Sequence, residues 1–186
     1  MNEIVLRTPT LVLRPFRAED AEAVQAYAGD IEVLRYMLWG PNDEETTRWF
    51  LSNTIEKNSQ EPRMQYDFAV CLAETGELIG GCGIYPEEEK AHLGWVLNKR
   101  FWKRGYGTEL AAELIRFGFE DLRLDHITAT CDAENVGSYR VMERNGMKRT
   151  GYIEKCRETR NGWRDELHYA ITREEWESMD AVKGEA

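Results

Sequence analysis

Two glycines next to two basic residues form the first pattern in this sequence that could do chemistry. Gly105 and Gly107 follow Lys103 and Arg104, within a stretch (102–119) whose apolar residues recur at helical spacing. The first turn of a helix carries unpaired N–H groups and the positive end of the helix dipole, and glycine lets an anion approach the main chain closely. The spacing therefore indicates a phosphate site. The open alternative is that the glycines only shape a turn before an ordinary amphipathic helix.

The familiar phosphate loops do not fit this stretch. No lysine followed by serine or threonine comes after the glycines, as a nucleoside triphosphatase would require. Leu110 stands where a dinucleotide-binding loop would have its third glycine. Both of these phosphate loops are therefore excluded.

The elements around the glycine turn predict where this ligand would bind. Residues 91–97 (AHLGWVL) read as a buried strand before the turn, and residues 126–132 (HITATCD) read as a strand after the helix. A strand–helix–strand crossover implies that these two strands are parallel neighbours. Ligands of such units bind beyond the carboxyl ends of the strands, which is where the glycine turn lies.

The remaining elements predict a mixed α/β (α+β) fold with a mostly antiparallel twisted sheet and one parallel strand pair. Further strands are expected at 11–16, 66–73, 77–85, 147–155 and 163–171, with a turn at Gly162. Helices are expected at 18–28, 31–38, 43–57 and 135–144. Thr172 and Glu175 have the spacing of a capping box before a last short helix. We find no repeat or linker, so residues 1–186 are expected to form a single domain.

Composition narrows the function class. The chain of 186 residues, with 42% apolar and 31% charged residues, is typical of one globular domain. A net charge of −10 argues against nucleic acid and anionic membranes as partners, and suits a basic or amine partner. No stretch approaches the roughly 20 apolar residues of a membrane span. The four cysteines and three histidines lack metal-ligand spacing, so we expect no metal, reduced thiols and a cytoplasmic location.

Three segments in this order resemble the GCN5-related N-acetyltransferase (GNAT) superfamily, and within it the RimJ/RimL type of ribosomal-protein N-acetyltransferase. The first is 92–97 (HLGWVL) followed by 102–109 (WKRGYGTE). The second is the spaced set Asn135, Ser138, Val141, Glu143, Gly146 and Met147. The third is 11–16 (LVLRPF) with Glu19 and Asp20. The resemblance covers residues 8–177 and is best defined over 91–151.

The resemblance implies an acetyl-CoA-dependent enzyme whose parallel strands splay around the cofactor. It places the pyrophosphate on the N–H groups of Lys103, Arg104, Gly105, Tyr106, Gly107 and Thr108. It gives the main chain of Val96 and Leu97 to the pantetheine arm and the acetyl carbonyl. It also brings Asn135 to the pantetheine and Ser138 to the thioester sulfur.

This sequence departs from the family pattern at three positions. Trp102 replaces a common glutamine or arginine, as is typical of the RimJ/RimL group. Met142 replaces a tyrosine that often protonates the thiolate, and because methionine has no proton to donate, the resemblance leaves that role to Ser138. His92 replaces a glutamate and becomes a candidate general base. The plain alternatives are that Asn135 is only the N-cap of its helix and that His92 is only a strand histidine.

The implied reaction is direct acetyl transfer to a primary amine, without a covalent enzyme intermediate. The acceptor is either a protein N-terminus or a small-molecule amine, and the protein a monomer or homodimer. Candidate acceptor contacts are the apolar Trp39 and Trp49 and the acidic Asp67, Glu87 and Glu166. An alternative function is a coenzyme A-binding sensor or interaction module that keeps the fold but lacks turnover.

Overall fold

The structure, a computed structural model, describes residues 3–159 and 162–184. These residues form eight strands and five α-helices. The strands are β1 (Leu6–Arg7), β2 (Leu11–Pro15), β3 (Tyr66–Leu72), β4 (Leu78–Glu87), β5 (Lys90–Leu97), β6 (His126–Asp132), β7 (Lys148–Thr159) and β8 (Gly162–Thr172). The helices are α1 (Ala21–Ala28), α2 (Glu44–Asn58), α3 (Tyr106–Glu120), α4 (Val136–Arg144) and α5 (Arg173–Gly184).

All eight strands belong to one sheet, in the order β1-β2-β3-β4-β5-β6-β8-β7. Every neighbouring pair is antiparallel except β5 and β6, which confirms the predicted fold class. The parallel pairing runs only from Lys90 opposite His126 to Leu93 opposite Ala129. Beyond Leu93, strand β5 stays paired with β4 but separates from β6. We call the space between β5 and β6 beyond these residues the gap.

Helices pack on the two faces of the sheet and leave part of one face open. Helix α3 buries its apolar stripe on the first face, as its spacing predicts: Leu110, Ala111, Leu114, Ile115 and Phe117 are all buried there. Helices α1 and α2 cover the second face over β2 and β3, where Val24, Tyr27 and Leu51 pack against Phe16 and Ala69. The second face of β6 and β8 carries polar residues instead.

Two of the predicted elements differ from the structure. The helix predicted at 31–38 is wrong, because this segment is a series of turns held by bonds such as Met37 N to Leu34 O. Lys99 binds Asp30 and Glu32 at 2.8 Å each, which anchors the segment to the end of β5. The strand predicted at 147–155 extends to Thr159 as part of the long β7–β8 hairpin.

Both ends of strand β8 carry residues for which the sequence predicted a turn or a helix cap. Gly162, predicted as a turn residue, is the first residue of β8 and has φ 93°. The predicted capping box is confirmed: Glu175 N donates to Thr172 Oγ1 at 3.2 Å, and Thr172 N donates to the Glu175 carboxylate at 3.0 Å. Helix α5 therefore starts where the sequence indicates.

Candidate active site

The glycine turn before α3 has the main-chain geometry of an anion site. Lys103 (φ 61°) and Gly105 (φ 87°) both lie in the left-handed region, and α3 begins at the next residue, Tyr106. Alternating main-chain conformations of this kind turn successive N–H groups toward one point, to which the helix dipole adds positive potential. A Cβ on Gly105 would meet no atom within 4 Å, so the turn faces open space. Lys103 and Arg104 are exposed beside it.

Gly107 has a packing role in the same turn. A Cβ at this position would lie 3.1 Å from Cγ2 of Val141 on α4, which is closer than ordinary contact. Asn145, at the end of α4, donates from Nδ2 to the carbonyl of Thr108 at 3.1 Å. The absence of a side chain at Gly107 therefore lets α3 and α4 pack closely next to the anion site.

The main chain of β5 presents alternate residues to the gap. Asn98 N donates to Ile79 O at 2.8 Å, so even-numbered residues at this end of β5 bond to β4. Successive residues of a strand point their N–H and C=O groups to opposite sides. The main-chain groups of Val96 therefore belong to the ladder with β4, and those of Trp95 and Leu97 face the gap.

Trp102 connects the end of β5 to the glycine turn. Its indole Nε1 donates to the carbonyl of Leu97 at 2.8 Å, and residue Trp102 is 40% exposed. The short 3-10 turn Lys99–Phe101 lies between these two residues. The Trp102 side chain, which stands where the family commonly has glutamine or arginine, thus fixes the end of β5 relative to the glycine turn.

The first turn of α4 holds the predicted thioester residues. Asn135 accepts from the main-chain N–H of Ser138 through Oδ1 at 3.2 Å, so its interpretation as the N-cap of α4 is confirmed. Ser138 is the third residue of the helix and is half-buried. Met142 is buried in the main core, while Tyr139 is half-buried against that core. The proton-donor role of Ser138 stays a prediction.

Two adjoining cavities lie on the second face of β5, β6 and β8. Alternation puts Ile127, Ala129 and Leu167 in the core on the α3 side, so polar neighbours on the same strands face the other way. The first cavity has a volume of about 430 Å³ and the second about 270 Å³. Both are lined by His92, Thr130, Arg157 and Glu166. These four residues therefore form the boundary between the cavities.

A buried carboxylate lies at this boundary. Glu166 is 8% exposed, and its Oε2 lies 2.8 Å from Nε of Arg157. Its Oε1 lies 2.9 Å from Nε2 of His168, but the two groups are not aligned for a hydrogen bond. Nε2 of His168 is therefore a buried nitrogen without a hydrogen-bond partner among the described residues.

His92 is the side chain on β5 that reaches both cavities. Its Nδ1 lies 3.4 Å from Oγ1 of Thr128 on the neighbouring strand. The residue is exposed toward the cavities, but loss of surrounding water lowers the pKa of its imidazole, and the charge of Glu166 only partly opposes this shift. The neutral imidazole, which can accept a proton, is thereby favoured.

The second cavity brings two of the predicted acceptor residues together. It is walled by the segment that contains Tyr36, Met37, Leu38 and Trp39, and Glu166 lies on its other side. This wall exists because residues 31–36 form turns and not the predicted helix, so that the chain passes over β6.

The other predicted acceptor residues lie outside the described lining of both cavities. Trp49 is on the outer surface of α2 and is 66% exposed. Asp67 is buried in β3, where it accepts from Tyr85 Oη at 2.7 Å and from Gln65 Nε2 at 2.6 Å, and burial raises the pKa of its carboxyl. Glu87 is exposed at the end of β4. Their assignment to the acceptor site remains a prediction.

With this geometry established, comparison with known proteins decides the family. A family model described as an acetyltransferase (GNAT) domain matches residues 10–148, well over half of the chain. The chain belongs to the GNAT family. Its fold is therefore that of a GNAT acetyltransferase.

Individual GNAT proteins agree with this assignment. The chain is 36% identical to the uncharacterized N-acetyltransferase YnaD of Bacillus subtilis (strain 168) over 92% of its own length and 98% of that protein. It is similar to the crystal structure of a GNAT-family acetyltransferase from Bacillus anthracis, with 35% identity, a TM-score of 0.82, and coverage of 92% and 99%. It is also similar to Mycobacterium smegmatis RimJ in complex with CoA-disulfide, with 26% identity, a TM-score of 0.78, and coverage of 93% and 88%.

As a GNAT enzyme, the protein is an N-acetyltransferase that uses acetyl-CoA. The described residues fit this cofactor in two places. The left-handed main chain at Lys103 and Gly105 provides N–H groups in front of α3, with open space before them. The gap next to Trp95 and Leu97 offers strand main chain that is not paired with β6, which suits the amide groups of a pantetheine arm.

Sequence reasoning missed several residues that the GNAT fold brings to this site. Arg157 and His168 lie at the boundary carboxylate, and Thr130 lines both cavities. Period-two alternation along 126–132 and 163–171 could have placed Thr130 and His168 on one polar face. Arg157 had no such signal, because its position depends on an irregularity in the pairing of β7.

Two further properties of the described residues concern metals and membranes. Within residues 3–159 and 162–184, no group of three histidine, cysteine or acidic side chains is arranged to hold a metal ion. No helix within the same ranges has the length and apolar character needed to cross a membrane. All four cysteines are free thiols, and only Cys156 is not fully buried.

Proposed function

We propose that this enzyme is of the RimJ/RimL type and transfers the acetyl group of acetyl-CoA directly to a primary amine, on a protein N-terminus or a small molecule. The observation that carries the proposal is the pair of adjoining cavities next to the gap, both lined by His92 and Glu166. The likeness to M. smegmatis RimJ supports the group assignment.

On the acceptor side, the enzyme must bind a cationic amine and remove its proton. An ordinary ammonium keeps its proton at neutral pH, so the nucleophile has to be generated at the site. Neutral His92 is the proposed proton acceptor, acting directly or through one water. The carboxylate of Glu166, on the same cavity boundary, provides the attraction for the ammonium form.

On the acyl side, acetyl-CoA supplies the acetyl group as a thioester when bound. The N–H groups of Trp95 and Leu97 face the gap and are the proposed donors to the carbonyl oxygen. Val96, which the family resemblance also assigns to the cofactor, lies between them, but its main-chain groups bond to β4. The hydroxyl of Ser138 is the proposed proton donor to the departing sulfur, and Asn135 holds the start of α4. Lys103, Arg104, Gly105, Tyr106, Gly107 and Thr108 are proposed to bind the pyrophosphate.

A covalent enzyme intermediate plays no part in this proposal. Cys131 lines the second cavity, but burial raises the pKa of its thiol to about 12, so the reactive thiolate is rare at neutral pH. Direct attack by the amine is therefore favoured. The buried, unpaired thiols also support the proposed cytoplasmic location.

The test is acetyl-CoA turnover with a panel of amines, measured by release of the coenzyme A thiol. The panel is 2-phenylethylamine, spermidine, glucosamine and a serine-initiated pentapeptide. We expect acceptor-dependent release with at least one of these amines. Binding of acetyl-CoA without release across the panel would instead support the alternative, a coenzyme A-binding module without turnover.

A further inference from the structure

A different nitrogen atom lies close to each oxygen of the Glu166 carboxylate. Arg157 Nε lies at 2.8 Å from Oε2, and His168 Nε2 lies at 2.9 Å from Oε1. A buried carboxylate is costly to leave without a partner, so it normally lies next to a cation or several hydrogen-bond donors. Among the described cavity residues, Arg157 is the permanent cation in contact with Glu166. The guanidinium therefore occupies the carboxylate in the free enzyme.

The two members of this ion pair differ in how firmly they are held. The Glu166 side chain is 11% exposed and lies on β8, between β6 and β7. The Arg157 side chain is 45% exposed and lies on β7, the edge strand. The pairing of β7 with β8 shifts register between Ile153 and Arg157, and Lys155 within this stretch has φ 46°. Arg157 can therefore move into solvent more easily than Glu166 can leave its position.

The present arrangement also leaves one group of the cluster unsatisfied. His168 Nε2 is buried next to Oε1 but makes no aligned hydrogen bond. Buried polar atoms of native proteins normally have a partner, and exceptions often mark ligand sites. The other side chains of the first cavity, Thr128, Thr130, Thr150 and Tyr169, are neutral, so Arg157, Glu166 and the two histidines dominate its electrostatics.

We infer that Glu166 binds the ammonium group of the acceptor and that Arg157 occupies this position until the acceptor displaces it. The inference deepens the proposed function and rests on it. It also narrows the acceptor class to amines without an anionic group next to the nitrogen, since a carboxylate there would be repelled by Glu166. Peptide N-termini, arylalkylamines and polyamines meet this condition, whereas free α-amino acids do not.

The direction in which Arg157→Gln changes the KM for the amine tests this inference. Arg157→Gln removes the competing cation and keeps a polar side chain of similar reach. If Arg157 occupies the carboxylate most of the time, removing it should lower the KM for the best amine of the panel by about three- to tenfold. Glu166→Gln should raise that KM by about 10- to 100-fold, because a charged hydrogen bond is lost. Arg48→Gln, which breaks an exposed pair with Glu44 on α2, is the matched control and should leave KM unchanged.

A second variant of Arg157 tests whether the charge of this side chain causes the change in KM. Arg157→Lys retains a cation with a single-point contact and should give a KM between those of wild type and Arg157→Gln. An unchanged or higher KM in a folded Arg157→Gln enzyme overturns the inference, and a higher KM would assign Arg157 to an anionic group of the acceptor.

If the wild-type enzyme shows no turnover, the proposed function fails instead. In that case the rise in melting temperature caused by 2-phenylethylamine still decides the inference, and it must be larger for Arg157→Gln than for wild type.

Discussion

The indole of Trp102 donates a hydrogen bond to the carbonyl oxygen of Leu97 at 2.8 Å. This contact closes a short loop between the end of β5, which borders the gap, and the glycine turn that precedes α3. In the proposed binding mode, acetyl-CoA contacts both places at once. The hydrogen bond therefore fixes the spacing between two parts of the proposed cofactor site.

Trp102→Phe should weaken acetyl-CoA binding while leaving the fold intact. The substitution removes the indole donor and keeps an aromatic ring, so we expect the Kd to rise by about two- to tenfold, the effect of one neutral hydrogen bond. Titration calorimetry measures this change. Trp163→Phe, at an exposed position on β8, is the control and should bind normally. Equal affinities for wild type and Trp102→Phe would show that the loop is held by other contacts.

Gly107→Val should lower acetyl-CoA affinity by at least about tenfold, or 1.4 kcal/mol. The added side chain would project next to the anion site and would also press on Val141. The double variant Gly107→Val with Val141→Ala separates these effects, because it removes the atom that a Cβ would meet. We expect affinity to stay low in the double variant. Recovery to the wild-type Kd would mean that Gly107 serves helix packing alone.

Ser138→Ala should lower kcat by about 10- to 1000-fold if its hydroxyl protonates the leaving sulfur. The N-cap contact of Asn135 uses the main-chain N–H of residue 138, which alanine retains, so melting temperature should hardly change. Asn135→Ala is the stability comparison and should lose about 1 kcal/mol of folding free energy. A normal kcat for Ser138→Ala would eliminate this residue as the donor and direct attention to Tyr139→Phe.

The pH dependence of kcat/KM should report on His92. Because the pKa of its imidazole is lowered, the proton acceptor is neutral at physiological pH, and kcat/KM should fall only below the ordinary histidine range. His92→Gln should lower kcat/KM at neutral pH and remove this acidic limb. A limb that persists unchanged in His92→Gln would assign the titration to another group.

The lowered pKa of His92 also predicts how the stability of the protein depends on pH. A histidine whose pKa is lower in the folded state binds fewer protons than it does in the unfolded chain, so its contribution is fully present above the unfolded pKa and is lost as pH falls. The melting temperature of wild type should therefore fall more between pH 7 and pH 5 than that of His92→Gln. Parallel pH profiles for the two proteins would contradict the shift.

The glycine turn and its strand–helix–strand crossover were predictable from sequence because their signals are local. The apolar period of α3, the two glycines before it and the strands on either side fix a crossover within about 40 residues of one another. The packing of Gly107 against Val141 was missed, since it requires knowing that α4 lies next to α3. A local pattern thus predicted the glycine turn and the helix after it, but not the packing role of Gly107.

The acceptor half depended on information that no single segment carries. His92, Arg157 and Glu166 come together only through the register of β5, β6, β8 and β7. The wall from Tyr36 to Trp39 was predicted in part as helix, because its apolar spacing allows one. Ion pairs of Lys99 with Asp30 and Glu32, distant in sequence, hold it as turns instead. Long-range contacts decided both features.

The parallel pairing of β5 and β6 ends at Leu93 and Ala129, so two half-sheets are joined along a seam of four residue pairs. Each half-sheet has its own continuous ladder, β1 to β5 on one side and β6, β8 and β7 on the other. A small tilt about the seam would change the width of the gap without breaking a hydrogen bond inside either half. The angle between the two half-sheets at the seam therefore sets how far Trp95 stands from Thr130, and hence the width of the gap.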